Sequence, residues 1–204
     1  MPEGNVGGGT GMICHDFKGG IGTSSRIIES EHQRYTIGVL VQTNYGDRGL
    51  FRVDGVPVGQ ILTHDHTPIP PWPDPFQSSS IIVVIGTDAP LLPVQCKRLA
   101  QRATVGLSRV GGVGHNGSGD IFLAFATGNH LPANAGLVHN LQMVPHSRLN
   151  PFFEATAEAV EEAILNALTS AVTMQGYLGR VVHELPLPDL QKIMSDYRKN
   201  IGRT

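Results

Sequence analysis

The chain has 204 residues, enough for one sizeable hydrophobic core or at most two small ones. Its formal net charge of −2, with basic residues scattered along the chain, gives no argument for binding nucleic acid or anionic membranes. Two cysteines, Cys14 and Cys96, are too few for a disulfide framework, and both are expected to be buried free thiols. No apolar stretch approaches membrane-spanning length and no signal-peptide pattern opens the chain, so we expect a cytoplasmic protein outside the membrane.

Glycine is concentrated in residues 1–25. This segment lacks the Gly-x-x-x-x-Gly-Lys-Ser/Thr pattern of a phosphate-binding loop, and no predicted strand precedes its glycines. Close approach of the backbone in a loop and a short strand is therefore favoured over phosphate binding.

Residues 35–66 predict a strand, a hairpin and a loop. Tyr35–Thr43 is rich in β-branched residues and predicts a strand. Leu50–Val58 is typical of a hairpin that turns at its Asp-Gly pair. His64 and His66 form a pair that could bind a metal ion, but no third ligand of suitable spacing is nearby. A solvated loop explains these histidines better, so no metal site is predicted.

Five consecutive branched apolar residues, Ile81–Ile85, predict a strand that is buried on both faces. Upstream, Pro68–Phe76 contains several prolines without periodicity and predicts a loop. Ser80 therefore stands where a loop enters a core strand, as the nucleophile does in hydrolases that cleave their own chain.

The rest of the chain predicts helices around a second strand. Thr87-Asp88 is expected to cap a helix that has Pro90 in its first turn. The predicted elements are an amphipathic helix from Leu91 to about Val105, a connection over Leu107–Gly114, a buried strand over Asp120–Thr127, a loop over Gly128–Arg148, a long helix from Asn150 to about Gln175, and a final helix over Leu190–Lys199 after an Asp189 cap.

Six strings of residues, in a fixed order from the N-terminus to beyond the middle of the chain, carry a family resemblance. They are Glu3–His15, Phe17–Thr23, Gly38–Asn44, Ser80–Val84, Thr87–Pro93 and Asn116–Phe125. The chain resembles the DmpA-type aminopeptidases, the L-aminopeptidase D-Ala-esterase/amidase and β-aminopeptidyl group known as peptidase family S58. It departs from that pattern twice, because the family's precursors begin well upstream of the first string and usually carry Gly or Asn where Ser79 stands.

The resemblance implies an α/β fold, a four-layer α/β/β/α sandwich that would be incomplete without an N-terminal portion. It implies one domain over residues 1–204, in which residues 1–79 correspond to the C-terminal part of the family's α-chain region and residues 80–204 to its β-chain region. It also implies a homo-oligomer, a short peptide or amide substrate and no cofactor. Sequence patterns alone give only a mixed α/β protein.

The predicted chemistry centres on Ser80. A serine hydroxyl is a poor nucleophile until a base accepts its proton. Cleavage between Ser79 and Ser80 would leave Ser80 with an α-amine of reference pKa about 7.7–8.0, able to act as that base near neutral pH. Ser78 and Ser79 are rival nucleophiles by residue type, but only Ser80 abuts the strand.

The resemblance assigns further residues to the site. Asn44 would stabilise the oxyanion, a role that suits a fixed N–H donor, although Asn after a strand is most often a turn residue. Ser118 and Asp120 would orient the amine, because residues two apart on an extended segment project from the same side. Without the resemblance, a glycine turn before a strand is the better interpretation. The glycines that would line the substrate pocket are Gly8, Gly9 and Gly11.

The leading hypothesis is a self-processing N-terminal-serine aminopeptidase or amidase that releases N-terminal residues from short peptides, amides or esters. The alternative is a truncated, non-catalytic paralogue that keeps part of the fold but does not mature. A metal- or phosphate-binding protein is a third hypothesis, which rests only on His64, His66 and the glycines. Ornithine acetyltransferases use a threonine nucleophile, so Ser80 argues against that group.

Overall fold

The computed structural model describes residues 1–30, 33–71, 79–134, 136 and 138–201. The strands are β1 (Ile13–Cys14), β2 (Phe17–Lys18), β3 (Ile21–Ser30), β4 (Gln33–Asn44), β5 (Ser80–Thr87), β6 (Ile121–Ala126), β7 (Met174–Gln175) and β8 (Val181–Val182). The α-helices are α1 (Val58–Ile61), α2 (Pro93–Ala100), α3 (Ala103–Arg109), α4 (Asn150–Thr169) and α5 (Leu187–Ile201). Short 3-10 helices cover Gly7–Gly9, Arg48–Leu50, His146–Arg148 and Tyr177–Gly179.

Strands β3 to β6 form one mixed sheet in the order β3-β4-β5-β6, and this sheet sets the position of the candidate site. The β3–β4 and β4–β5 pairs are antiparallel, whereas β5 and β6 are parallel and are joined through α2 and α3. The register pairs Asn44 with Ser80 and Ile82 with Ile121. The end of β4, the start of β5 and the start of β6 therefore meet at one edge of the sheet.

Helices cover one face of this sheet. Helix α4 packs on β3 and β4, with Ile164 and Leu168 fully buried against the strands. A Cβ atom at Gly22 would lie 1.9 Å from the Ala163 carbonyl oxygen, so the helix can approach β3 this closely only because residue 22 is glycine. Burial of this apolar face is the main source of stability for the layer.

Among the described residues, no helix covers the other face of the sheet. Along β5, Ile81, Val83 and Ile85 are buried, whereas Ile82 is 38% exposed. Phe125 of the edge strand β6 is 49% exposed. The predictions that β5 is buried on both faces and that β6 is a buried strand are therefore wrong for the described residues, which place helices on one face only. The predicted α/β class is confirmed, and the described residues supply one helical layer and one main sheet layer.

Two helix predictions differ from the structure near β5. Asp88 does not cap a helix, because its Oδ1 accepts a hydrogen bond from the Thr36 backbone N–H at 2.7 Å. Helix α2 starts at Pro93, where the Gln95 side chain accepts a hydrogen bond from the Leu92 backbone N–H. The predicted helix from Leu91 to Val105 is in fact α2 and α3, separated by a turn at residues 101–102.

Other predictions hold in part. Strand β4 contains the predicted strand, and a tight turn is present between Val53 and Val56, which exchange backbone hydrogen bonds of 3.1 and 2.9 Å. The flanking hairpin strands are absent there, since only an isolated bridge forms in this described segment. Helix α4 ends at Thr169 rather than Gln175, and α5 starts at Leu187, before its predicted first residue.

Three further predictions concern the proline-rich loop, strand β3 and membrane-spanning segments. Residues 72–76 of the predicted proline-rich loop, and Ser78, lie outside the described residues. Strand β3 was not predicted, because polar residues interrupt its apolar pattern. Of the helices described, none is long and apolar enough to cross a membrane.

Candidate active site

Ser80 is the first residue of β5 and is half-buried at the sheet edge. The backbone N–H of Gly119 donates to the Ser80 Oγ at 3.1 Å and to the Ser79 carbonyl oxygen at 3.3 Å. One donor therefore contacts both the predicted nucleophile and the carbonyl of the predicted cleavage site.

Ser118 and Asp120 contact each other beside Ser80. The Ser118 hydroxyl donates to Asp120 Oδ1 at 2.6 Å, and the same oxygen accepts the Ile81 backbone N–H at 3.1 Å. Asp120 directly precedes β6, whose parallel pairing with β5 places the carboxylate against the first residues of β5. The structure thus places Ser118 and Asp120 beside Ser80, through the bond of Asp120 to Ile81 and the bond of the intervening Gly119 to Ser80.

Asn44 lies across from Ser80, because the two residues are partners in the β4–β5 register. The Asn44 Oδ1 accepts the Ile13 backbone N–H of β1 at 3.1 Å. This contact fixes the orientation of the side-chain amide and leaves its Nδ2 end as the group that can donate. A preoriented N–H donor of this kind is suited to stabilising negative charge that develops during a reaction.

On the Asn44 side of the site, the buried side chain of Lys18 binds the glycine-rich loop. Its ammonium donates to the carbonyl oxygens of Gly9 at 3.3 Å, of Gly19 at 2.9 Å, and of Met12. Burial lowers the pKa of Lys18 from 10.5 to about 8, although the nearby Cys14 opposes that shift. Lys18 therefore fixes the backbone directly before Ile13, the residue that orients Asn44.

The three glycines predicted to line the pocket belong to this loop. Gly9 is buried, and a Cβ there would lie 2.7 Å from the Gly4 carbonyl oxygen, so the site requires glycine. Gly8 and Gly11 are exposed. Lys18 donates to the Gly9 carbonyl oxygen of this loop, and Ile13, which follows the loop, donates to Asn44. The loop therefore lies on the Asn44 side of the site.

Sequence reasoning did not single out His15 and Tyr45. His15 is fully buried, and burial lowers its pKa from 6.5 to about 4. Its Nδ1 faces the Asp47 carbonyl oxygen at 3.0 Å, and its ring meets the Tyr45 ring edge-on at a centroid distance of 5.0 Å. The signal available in the sequence was their position, since Tyr45 follows Asn44 and His15 ends the first of the six strings.

The two side chains share an unusual feature, because their polar ends are buried without a hydrogen-bond partner in the described part of the chain. The atoms are the His15 Nε2 and the Tyr45 hydroxyl oxygen. Burial raises the pKa of Tyr45 well above its usual range, and the charges of Cys14 and Asp120 raise it further. Tyr45 lines a small cleft together with Ser79, Ser118 and Asp120, next to the Ser79–Ser80 bond.

The histidine pair has other contacts. His64 Nε2 lies 3.0 Å from Asp16 Oδ2, and His66 Nδ1 lies 3.4 Å from the Thr63 hydroxyl. Across the described ranges, no group of three or more His, Cys, Asp or Glu side chains is arranged to hold a metal ion. The hypothesis of a metal-binding protein therefore gains no support from this region.

Comparison with known proteins gives a consistent result. A family model for peptidase family S58 matches residues 1–182. The chain is 45% identical, over 209 residues, to a protein named beta-peptidyl aminopeptidase BapA from Sphingosinicella microcystinivorans. That match covers 98% of this chain and 53% of the relative.

Solved structures of similar proteins share the fold. A Burkholderia sp. beta-aminopeptidase matches with 50% identity and a TM-score of 0.84, over 96% of this chain and 54% of its own. The L-aminopeptidase D-Ala-esterase/amidase of Ochrobactrum anthropi, described as a prototype serine aminopeptidase and a new variant of the Ntn hydrolase fold, matches with 41% identity and a TM-score of 0.86. That match covers 97% of this chain and 53% of the other. The predicted DmpA-type fold is confirmed, and the chain spans about half the length of these relatives.

Proposed function

Because the chain belongs to peptidase family S58, we propose that it is a self-processing N-terminal-serine aminopeptidase or amidase. The observation that carries the proposal is the meeting of Ser80, Asn44 and Asp120 at one sheet edge, each with a side chain or backbone fixed by the contacts given above. Cleavage before Ser80 would divide one domain into residues 1–79 and 80–204.

Self-cleavage begins with the Ser80 hydroxyl. Its Oγ attacks the Ser79 carbonyl carbon, and its proton passes to the Ser80 nitrogen as the C–N bond breaks. The resulting ester joins Ser79 to the Ser80 side chain. Water then hydrolyses this ester, so that Ser79 leaves as a carboxylate and Ser80 keeps its hydroxyl and gains a free amine.

The free amine becomes the general base for substrate hydrolysis. It accepts the Oγ proton as the oxygen attacks the substrate carbonyl, and it returns that proton to the departing amine, which leaves the acyl group as an ester on Ser80 Oγ. Water then hydrolyses this ester, so that the acyl group leaves as a carboxylate and the Ser80 hydroxyl is restored. Asp120, which accepts the Ile81 N–H and the Ser118 hydroxyl, lies where its charge favours the protonated amine. The Nδ2 of Asn44 donates to the oxyanion, a contribution worth about 10²–10³ in rate for one donor.

The substrate we propose is a short peptide, amide or ester with a free N-terminal residue. Gly8, Gly9 and Gly11 would form the backbone wall of the pocket on the Asn44 side, held there by Lys18. Assembly into a homo-oligomer stays a prediction from the family resemblance, and light scattering on purified protein would test it. A cytoplasmic location stays a prediction from the sequence. The non-catalytic alternative is not favoured, since the hydrogen bonds around Ser80 are those that the proposed reaction uses.

Intact mass and N-terminal sequencing of the purified protein test the proposal. We expect two chains, residues 1–79 and residues 80–204, the second beginning Ser-Ile-Ile-Val. The Ser80→Ala variant should stay whole, and the Ser79→Gly variant should cleave, because the residue before the nucleophile needs only its carbonyl. A wild-type chain that stays whole after prolonged incubation would contradict self-processing.

A further inference from the structure

We infer that the backbone N–H of Gly119 is the donor that stabilises the oxyanion on Ser79 during self-cleavage. This inference rests on the proposed function. It assigns self-cleavage and substrate hydrolysis different oxyanion donors, with Gly119 acting in the first reaction and Asn44 in the second.

The Gly119 N–H already contacts both oxygens that would take part in the attack. Among the described residues, the donor on the Ser79 carbonyl oxygen is the Gly119 N–H at 3.3 Å, and the same N–H lies 3.1 Å from the attacking Ser80 Oγ. When Oγ bonds to the Ser79 carbonyl carbon, both oxygens become substituents of that one carbon. The N–H is therefore already directed at the centre where negative charge develops.

A hydrogen bond to a charged oxygen is roughly twice as strong as one to a neutral carbonyl. The Gly119 N–H thus interacts more strongly with the oxyanion than with the Ser79 carbonyl before attack. Only an interaction that strengthens in this way accelerates the chemical step. The contact seen in the uncleaved chain is long for an N–H to oxygen bond, which leaves room for it to shorten as charge develops.

The neighbours of Gly119 fix the direction of its N–H. On one side, the Ser118 backbone N–H donates to the His115 carbonyl oxygen at 2.7 Å and closes a turn. On the other side, Asp120 accepts the Ile81 N–H at 3.1 Å. The peptide unit that carries the Gly119 N–H is therefore held at both ends, although the loop itself is exposed.

Asn44 is held in a different direction. Its Oδ1 is occupied by the Ile13 N–H, and it approaches Ser80 from the neighbouring strand β4. After cleavage Ser79 departs with its carbonyl, so the Gly119 N–H loses that acceptor while Asn44 keeps its position. The Gly119 N–H therefore serves the Ser79 carbonyl, and the Asn44 Nδ2 serves the substrate carbonyl.

The test uses Gly119→Pro, which removes the N–H, and Gly119→Ala, which keeps it. A Cβ at residue 119 would lie 3.2 Å from Ser80 Oγ, a contact that a small movement of the serine side chain relieves. Conversion of newly synthesised chain into residues 1–79 and 80–204 is followed by mass. We expect Gly119→Ala to cleave within about tenfold of the wild-type rate, and Gly119→Pro to cleave about 10²–10³ more slowly, the cost of one oxyanion donor.

Asn44→Ala provides the opposite arm of the experiment. It should cleave within about tenfold of the wild-type rate and then hydrolyse a dipeptide amide about 10²–10³ more slowly. Self-cleavage of the Gly119→Pro variant at the wild-type rate would overturn the inference while leaving the proposed function intact. A wild-type chain that never cleaves would overturn the proposed function itself.

Proline at residue 119 also restricts Ser118, so a measurement without it is needed. In the uncleaved Ser80→Ala chain, the Ser79 carbonyl still accepts the Gly119 N–H. Hydrogen exchange of the Gly119 amide should be at least about tenfold slower than that of the Asn116 and Gly117 amides in the same exposed loop. Equal exchange rates would overturn the inference whether or not Gly119→Pro folds.

Discussion

The two sides of Ser80 are built in different ways. On the Asn44 side, β1, β4 and the buried Lys18 and His15 hold the backbone inside the core. On the Asp120 side, an exposed loop contacts Ser80 through the Gly119 N–H, while Asp120 accepts hydrogen bonds from Ser118 and from Ile81. Under the proposed mechanism, burial would position the group used after cleavage, whereas a less buried segment would hold the part of the chain that releases residue 79.

The Asp120 side should show the largest effect on chemistry. Asp120→Asn keeps an oxygen that can accept the Ser118 and Ile81 hydrogen bonds but removes the charge that favours the protonated amine. We expect hydrolysis of a dipeptide amide to fall about 10²–10⁴-fold, the usual range for general acid–base catalysis, because the proposed base, the Ser80 amine, depends on the Asp120 charge. The melting temperature should change little. Steady-state kinetics and thermal unfolding check this, with Asp196→Asn on the distant helix α5 as the control. Undiminished activity in Asp120→Asn would remove Asp120 from the mechanism.

His15, which is buried on the Asn44 side, should set how the free energy of unfolding responds to acid. His15 has a pKa of about 4 in the folded chain and about 6.5 in the unfolded chain, so between these values the unfolded chain binds more protons. Stability should therefore rise as pH increases from about 4 to 6.5 and fall as pH decreases through that window, by roughly 3 kcal/mol at most. In His15→Phe this part of the pH dependence should disappear.

Urea unfolding between pH 4 and 7 measures that pH dependence. The matched control is His130→Gln, because His130 is exposed, and this variant should keep the wild-type profile. An unchanged acid slope in His15→Phe would mean that another buried group sets the response.

Lys18 tests whether the buried side also supports activity. Lys18→Met keeps the length of the side chain but leaves the Gly9, Met12 and Gly19 carbonyl oxygens without this donor. We expect the free energy of unfolding to fall by about 1–3 kcal/mol, since unsatisfied buried polar groups are costly. Because Met12 precedes Ile13, kcat should fall as well. The exposed Lys97→Met variant should change stability by less than about 0.5 kcal/mol. Normal kcat in Lys18→Met would show that the glycine-rich loop does not set the position of Asn44.

The smallest effect is expected at Tyr45. Its hydroxyl is buried without a partner among the described residues, so Tyr45→Phe should leave stability unchanged or raise it by up to about 1 kcal/mol. Hydrolysis should also be unchanged. Chemical denaturation and kinetics check both. A clear loss of kcat with normal stability would show that the hydroxyl contacts substrate or the Ser80 amine in the working protein.

Sequence patterns predicted β4, β5 and the long helix, because β-branched runs and helical periodicity are local features. They could not predict that Asn44, Ser80 and Asp120 meet, since this depends on the pairing of three strands that are distant in the chain. The family resemblance supplied that expectation.

Other errors have physical causes. The branched run Ile81–Ile85 is typical of a strand covered on both sides, yet the described residues cover only one side. Asp88 has the residue type of a helix cap but bonds to the backbone of β4 instead. The contacts of the Gly119 N–H could not be predicted, because a glycine in a sequence does not reveal where its backbone N–H points.

The central claim is that Ser80 is the nucleophile at the junction of these two sides. Its most direct test is the mass of the chain formed by residues 80–204 during turnover of an amino-acid ester. We predict a transient mass increase equal to the acyl group, which peptide mapping locates on Ser80 and which Ser80→Ala lacks. Hydrolysis that proceeds with the acyl group on residues 1–79, or that persists undiminished in Ser80→Ala, would contradict the claim.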